Sequence, residues 1–277
     1  MTIFSLDLET YTNWEHTPEP VRASLIKRHP HWKKTTAEED AALSPYSGRV
    51  IVATLGAREK IGETAEYHSF YLNESSRNGS ITDGNHHLDP CAYEKTILSQ
   101  VLLTMKHYVE KRPDFTNMGV AEMIGYRTSI RQNPHTLLTF YGHRFDLPFF
   151  VQRARMCDVD PKLLKWFMGA PLVYCDLADE LTLHGHLEPR LSLDAYCALY
   201  GIASPKKATT IESGAHVGEA WKNGHYRDVV LYNKADTETL DTVYDLACTE
   251  FGLSFTSDDA QSLTHLFRTR VKAKYPG

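Results

Sequence analysis

Apolar residues alternate with acids at the start of the chain. Phe4, Leu6 and Leu8 share one face of an extended segment, and Asp7 and Glu9 share the other. A strand over residues 4–10 that is this apolar on one side belongs at the centre of a sheet. Val50–Ala57 and Glu66–Asn73 read as the next two strands, and their closeness in sequence predicts an antiparallel meander. The period then changes. Tyr93, Ile97, Val101, Met105 and Tyr108 recur at helical spacing, predicting a helix over 90–111 with Asp89 as N-cap, Pro90 at its first position and Pro113 as its stop. Residues 113–133 fit neither period. Thr136–Tyr141 and Leu172–Leu177 read as buried strands; the first runs through Gly142–Pro148 into a helix ending near Met156. Ser192 caps a short helix stopped by Gly201, and another short helix fits 215–222. Tyr226–Glu250 is the clearest late helix, with Val229, Tyr232, Asp236, Thr239, Leu240, Val243 and Ala247 on one stripe. A last helix, capped at Ser257, carries Leu263, Leu266 and Phe267.

These elements predict an α/β fold: a mixed five-stranded sheet, its first three strands antiparallel, flanked by helices. The expected organisation is one domain over 1–250 and a C-terminal helical extension over 251–277. Residues 11–48 interrupt it as an insertion, polar and dotted with Pro18, Pro20, Pro30 and Pro45. Its cations (Arg22, Lys27, Arg28, Lys33, Lys34) and its Trp14 and Trp32 suit either a flap over a nucleic-acid strand or a solvated surface segment.

Composition narrows the classes. Of 277 residues, 42% are hydrophobic and 23% charged, as in ordinary globular proteins. No apolar run is long enough to span a bilayer, and Asp7 and Glu9 interrupt the N-terminal apolar run that a signal peptide would need. The five cysteines have no paired spacing and read as reduced, which predicts a cytoplasmic protein. A net charge of −5 argues against a nucleic-acid coat protein but not against a nuclease, which gathers acids around metals and needs only a local basic groove. The 14 histidines include His86-His87 and His184-Gly185-His186, yet none has zinc-ligand spacing.

Three features carry chemistry. Asp7 and Glu9 side by side on a central strand repel each other, and a divalent cation is the simplest compensation. An oxygen-only donor set suits Mg²⁺ or Mn²⁺; two solvated acids at a strand end would look the same in sequence. Asp146 opens the helix after the fourth strand, where an anion meets the positive end of the dipole and where a plain N-cap also fits. Asp236 is an acid on a stripe that should be buried, and Tyr232, one turn earlier, can reach the same place.

In their order and spacing, F-S-L-D-L-E-T (Asp7, Glu9), Y-G-H-R-F-D-L-P (Asp146) and Y-N-K-A-D (Tyr232, Asp236) resemble the DEDD, or DnaQ-like, superfamily of 3′–5′ exonucleases. Leu231 stands where the His subclass would carry histidine, so the chain looks like the Tyr subclass (DEDDy). Residues 174–246 are similar to predicted exonucleases related to the proofreading domain of family B DNA polymerases. The resemblance covers about 1–10 and 50–250. It implies a ribonuclease H-like three-layer fold, two divalent ions held by Asp7, Glu9, Asp146 and Asp236, and a Tyr232 that orients or deprotonates the attacking water; a phenol with a pKa near 10 is a poor base at neutral pH, which favours orientation. It further implies stepwise hydrolysis of single-stranded 3′ ends, DNA favoured over RNA, releasing nucleoside 5′-monophosphates. Substrate contacts are expected from Leu8, Thr10, Tyr11, Tyr141, Arg144, Phe145 and Phe149. The departure is Tyr141, where the family usually has Asn.

Overall fold

The computed structural model describes residues 2–12, 14, 17–28, 41–71, 90–111, 119–122, 124–125, 135–184, 186–187, 191–203, 209–255 and 257–274. Its organising strand is β1 (Ile3–Thr12), which pairs antiparallel with β2 (Gly48–Arg58) along its whole length. On its other side β1 pairs in parallel with β4 (Thr136–Thr139), but only over Ile3, Phe4 and Ser5. With β3 (Glu66–Tyr71) beyond β2 and β5 (Val173–Asp176) beyond β4, the sheet order is β3-β2-β1-β4-β5. The first three strands are antiparallel and the last two join in parallel. The mixed five-stranded α/β sheet expected from the sequence is therefore present, with the acidic strand at its centre.

The alternation in β1 sorts the two faces. Phe4, Leu6 and Leu8 join a core shared with α2 (Pro90–Glu110), α3 (Asp146–Met156) and α4 (Pro161–Gly169). The opposite face, bearing Ser5, Asp7 and Glu9, is crossed by α8 (Tyr226–Glu250). Three further helices flank it in the chain: α5 (Leu177–Leu181), α6 (Leu193–Tyr200) and α7 (Val217–Lys222). α7 packs on β1 and α8, and α6 packs on α8. Among the described residues, no helix is long and apolar enough to cross a membrane.

Several boundaries differ from the sequence reading. β4 stops at Thr139, two residues early, and β5 stops at Asp176, where α5 begins directly. α4 was not anticipated, although Asp160 caps it by accepting from the Lys162 N–H (2.8 Å) and Pro161 opens it. The C-terminal helix α9 (Leu263–Lys274) is capped by Ser262 rather than Ser257, whose residues form a separate 3₁₀ turn. Leu263 and Leu266 are buried in the main core, and Gln261 bridges to Leu172 beside β5. Of the 11–48 insertion, α1 (Glu19–Arg28) and the return segment 41–47 are seen. Trp32, Lys33, Lys34, the Asp89 cap and the end of the third strand after Tyr71 lie outside the described residues.

A buried ion pair ties the return segment to the core. Glu94 on α2 accepts from the Val50 N–H (2.9 Å), from Arg153 Nε (2.8 Å) and Nη2, and from the Cys157 thiol (3.2 Å). Arg153 in turn donates to the Pro45 carbonyl (3.1 Å). Ser47 donates to the Ala41 carbonyl (2.7 Å), and a Cβ on Gly48 would lie 2.2 Å from the Ala42 carbonyl oxygen, so only glycine lets the chain enter β2 here.

Candidate metal centre and adjoining groove

The site forms where β1 outruns β4. From Leu6 onward β1 has only β2 paired with it, and on the other side the Leu8 N–H donates to Asp146 at the end of the β4–α3 connection. The partner strand β2 also carries a bulge there: Glu9 pairs with Val52 but Thr10 with Val50, leaving Ile51 as the extra residue. Bulges of this kind re-aim side chains at functional strand ends.

Asp7, Glu9 and Asp236 each bring a carboxylate oxygen within 4.8 Å of the others. Asp146 stands outside that triad but within electrostatic reach of Asp7 and Glu9. It is the first residue of α3, whose cap position is Phe145 with no side-chain cap bond, so Asp146 is not serving as an N-cap. Tyr232, 4% exposed, donates its hydroxyl to Asp236. The five residues expected from sequence to share one place do so.

Burial and mutual repulsion dominate the electrostatics. Burial pushes the Asp7 carboxyl well above the usual carboxylate range, and Glu9, Asp146 and Asp236 add to it. Glu9 is raised in the same way by burial, then Asp236 and Asp146. Asp146 is pushed up to about 7, chiefly by burial with a contribution from Asp176, while the N–H groups of its own backbone and of Leu8 oppose the rise. The Tyr232 phenol is raised by burial and by the acids around it, so it stays protonated and can donate but not act as a base at neutral pH. Asp7, Glu9 and Asp146 held in this state, with Asp236 beside them, fit a hard divalent cation, whose positive charge would offset their repulsion.

The sequence reading missed Asn233, wholly buried beside Tyr232 in the same Y-N-K-A-D run. Its Nδ2 donates to Asp7 Oδ2 (2.7 Å), and it also lowers the pKa of Glu9 by hydrogen bonding. Two turns later Asp241 accepts from Ser5 Oγ (2.9 Å) and the Tyr67 hydroxyl (2.7 Å) and pairs with Arg58 (3.3 Å). A Cβ on Gly56 would lie 2.3 Å from Ser5 Oγ, so glycine makes room for this network. Asn233 and Asp241 thus pin α8 to β1 at two points, which fixes Tyr232 and Asp236 against Asp7 and Glu9.

A second cluster, also missed, shapes the β4–α3 connection. Asp176 accepts from the backbone N–H groups of Tyr141 (2.8 Å) and His143 (3.1 Å). The His143 Nδ1 lies 3.8 Å from Asp176 and 4.0 Å from Asp179. Tyr141 sits at φ 58°, a left-handed conformation in which Asn is several-fold enriched. Its ring packs edge-on against Phe140 and its hydroxyl donates to the Leu191 carbonyl (3.2 Å). The departure at this position therefore exchanges a side chain suited to the backbone for one latched to the chain before α6.

Beside the acids runs a groove of about 650 Å³. Leu8, Glu9, Thr10, Tyr11 and Phe145 line it, with Ala42 and Leu43 from the return segment and the stretch around α7 opposite. Tyr141, Arg144 and Phe149 do not line it. Phe149 corrects the expectation of a base-stacking ring: it is 2% exposed, packed on Phe145 within the main core. Arg144 is half-exposed, 3.9 Å from Asp179.

The raised acids make a sign-definite prediction. Between about pH 4, the unfolded carboxylate pKa, and about pH 7 for Asp146, these carboxyls hold more protons in the folded chain than in the unfolded one. Stability without metal should therefore be greatest at the acid end of this window and fall as pH rises through it. Mg²⁺ or Mn²⁺ should raise the thermal midpoint more at pH 7.5 than at pH 5. Melting curves in EDTA and in metal across this range check it; a metal increment that is absent, or equal at both ends, contradicts the assignment.

No family model matches the chain, and no curated protein matches it significantly.

Proposed function

We propose that the chain is a metal-dependent 3′–5′ exonuclease of the DEDDy kind on a ribonuclease H-like fold, releasing nucleoside 5′-monophosphates from single-stranded DNA ends. The observation that carries the reading is the convergence of Asp7, Glu9 and Asp236 within 4.8 Å. Tyr232 is bonded to Asp236, and Asp146 completes the set from a separate element. The sheet, with its antiparallel first three strands and the acidic strand at its centre, supports the fold side of the same reading.

In this proposal Asp7, Glu9 and Asp236, with Asp146 close by, would hold the divalent ions. Such ions, when bound, would supply a water of lowered pKa and positive charge to offset that on the departing 3′ oxygen. The chain's own part is positional. Asn233 holds Asp7 and Glu9 in place against their repulsion. The Tyr232 hydroxyl, bonded to Asp236, would orient the water, since a phenol with an ordinary pKa near 10 is a poor base at neutral pH. Phe145, half-buried at the edge of the groove, would offer apolar surface for the terminal base, with the buried Leu8 beneath it.

The test is a time course on 5′-labelled single-stranded DNA and matching RNA with Mg²⁺ or Mn²⁺, and with EDTA as control. The expected result is a metal-dependent ladder shortening from the 3′ end, stronger on DNA; a stronger ladder on RNA would make the enzyme an exoribonuclease. Strand binding without cleavage of either would turn the reading towards a non-catalytic nucleic-acid-binding module.

A further inference from the structure

Asp146 is the one proposed metal ligand that neither β1 nor α8 supplies, and the turn that presents it is strained. Tyr141 adopts φ 58°, a left-handed conformation that a bulky side chain keeps only where its surroundings hold it. A Cβ on Gly142 would lie 2.3 Å from Thr139 Cβ, so the chain passes β4 at a distance only glycine permits. Asp176 holds this turn. It is 1% exposed at the end of β5, opposite Thr139 in the parallel register. Its Oδ1 accepts from the Tyr141 N–H (2.8 Å) and its Oδ2 from the His143 N–H (3.1 Å). The backbone carries the constraint onward. The Tyr141 carbonyl accepts from the Arg144 and Phe145 N–H groups (3.0 and 3.2 Å), and the Gly142 carbonyl from the Leu147 N–H (2.9 Å). Asp146 lies between Phe145 and Leu147 and moves with them. An acid is a costly choice for this post, because its buried charge repels Asp146 and raises the pKa of that carboxyl. Asparagine would avoid the repulsion, but it offers one acceptor oxygen where the turn presents two N–H groups.

Building on the metal centre of the nuclease reading, we infer that Asp176 is a positioning residue for Asp146: it locks the strained 139–147 turn by two backbone bonds, and so sets how well Asp146 can serve a divalent ion. Its role is exerted through the turn, two strands away from Asp7 and Glu9.

The experiment measures Mn²⁺ binding to the full chain by calorimetry, with melting curves in EDTA to report folding. Asp146→Asn should weaken binding. Asp176→Asn should weaken it about tenfold, the lower end of what a metal ligand's supporting partner is worth. In the double variant Asp176→Asn should add nothing to Asp146→Asn, because it acts through that carboxylate. Gly142→Ala, which forces the same turn to move and changes no charge, should reproduce the loss, and again only while Asp146 is present. It decides alone if Asp176→Asn does not fold. Binding that a folded Asp176→Asn or Gly142→Ala leaves at the wild-type value overturns the inference, as does binding indifferent to Asp146→Asn. A loss of equal size with and without the Asp146 carboxylate also overturns it, since a general loss of charge or structure would do the same. A wild-type chain that binds Mn²⁺ without cutting strands fails the nuclease reading alone, and the same isotherms still decide the role of Asp176. A wild-type chain that binds no Mn²⁺ overturns both.

Discussion

Asp236→Asn should abolish cleavage while leaving the fold intact. The substitution keeps the shape of the side chain and an oxygen to accept the Tyr232 hydroxyl, so the packing of α8 is preserved. What it removes is one negative charge from the triad of Asp7, Glu9 and Asp236. Metal ions supply several kcal/mol of transition-state stabilisation, and at about 1.4 kcal/mol per decade that corresponds to a loss of roughly 10³-fold or more. The same charge raises the pKa of both Asp7 and Glu9. The variant should therefore be at least as stable as the wild type in EDTA at neutral pH, and should gain less from Mg²⁺. Single-turnover cleavage of a 5′-labelled strand, with melting curves in EDTA and in metal, reads both effects. Near wild-type turnover would remove Asp236 from the reacting centre. A collapsed melting midpoint would mean that the residue is structural.

The second large effect lies away from the acids. Glu94→Ala should destabilise the fold by about 3–5 kcal/mol, the usual result of breaking one side of a buried ion pair. It strands the Arg153 guanidinium, itself 4% exposed, and leaves the Val50 N–H without its acceptor. That is a large fraction of the 5–15 kcal/mol by which domains are stable. Replacing both partners, as in Glu94→Leu with Arg153→Met, should cost less than Glu94→Ala alone, because no buried charge is left unpaired. Denaturant titration of the two single variants and the double variant checks this. A loss below about 1 kcal/mol in Glu94→Ala would place the pair in the class of surface bridges. Since Arg153 also holds the Pro45 carbonyl, the single variants should loosen the segment carrying Ala42 and Leu43 and weaken strand binding.

Periodicity alone made the sheet, the long helices and the carboxylate set legible. Asp7 and Glu9 announce themselves because charge on a central strand needs an explanation, and Asp236 because it interrupts an apolar stripe. The parts that stayed hidden are polar groups satisfied by distant partners. Asn233 and Asp241 lie on a second stripe of α8 with Thr237, which a hydrophobic pattern does not register, and their partners are more than 200 residues away in β1. Asp176 reads as an ordinary strand-end acid until its carboxylate is seen holding two backbone N–H groups of the next connection. Phe149 was misread for the opposite reason. Its neighbour Phe145 does face the groove, but the helical step turns Phe149 into the core. The α7 wall is composed of small and polar residues, which carry almost no periodic signal.

The unequal pairing of β1 has a mechanical consequence. Its root, Ile3 to Ser5, is flanked by β2 and β4, whereas its tip, which bears both acids, is laddered on one side only. The strand behaves as a cantilever, laddered on both sides at its buried root and on one side at its tip, where the other edge is held by the Leu8 N–H to Asp146 rather than by a strand. Opening the tip breaks fewer backbone hydrogen bonds than opening the root, so the amides of residues 6–10 should exchange through small local excursions while those of 3–5 wait for global unfolding. In the proposed exonuclease, a site built this way would yield to admit and release a strand without drawing on the stability of the sheet that carries it.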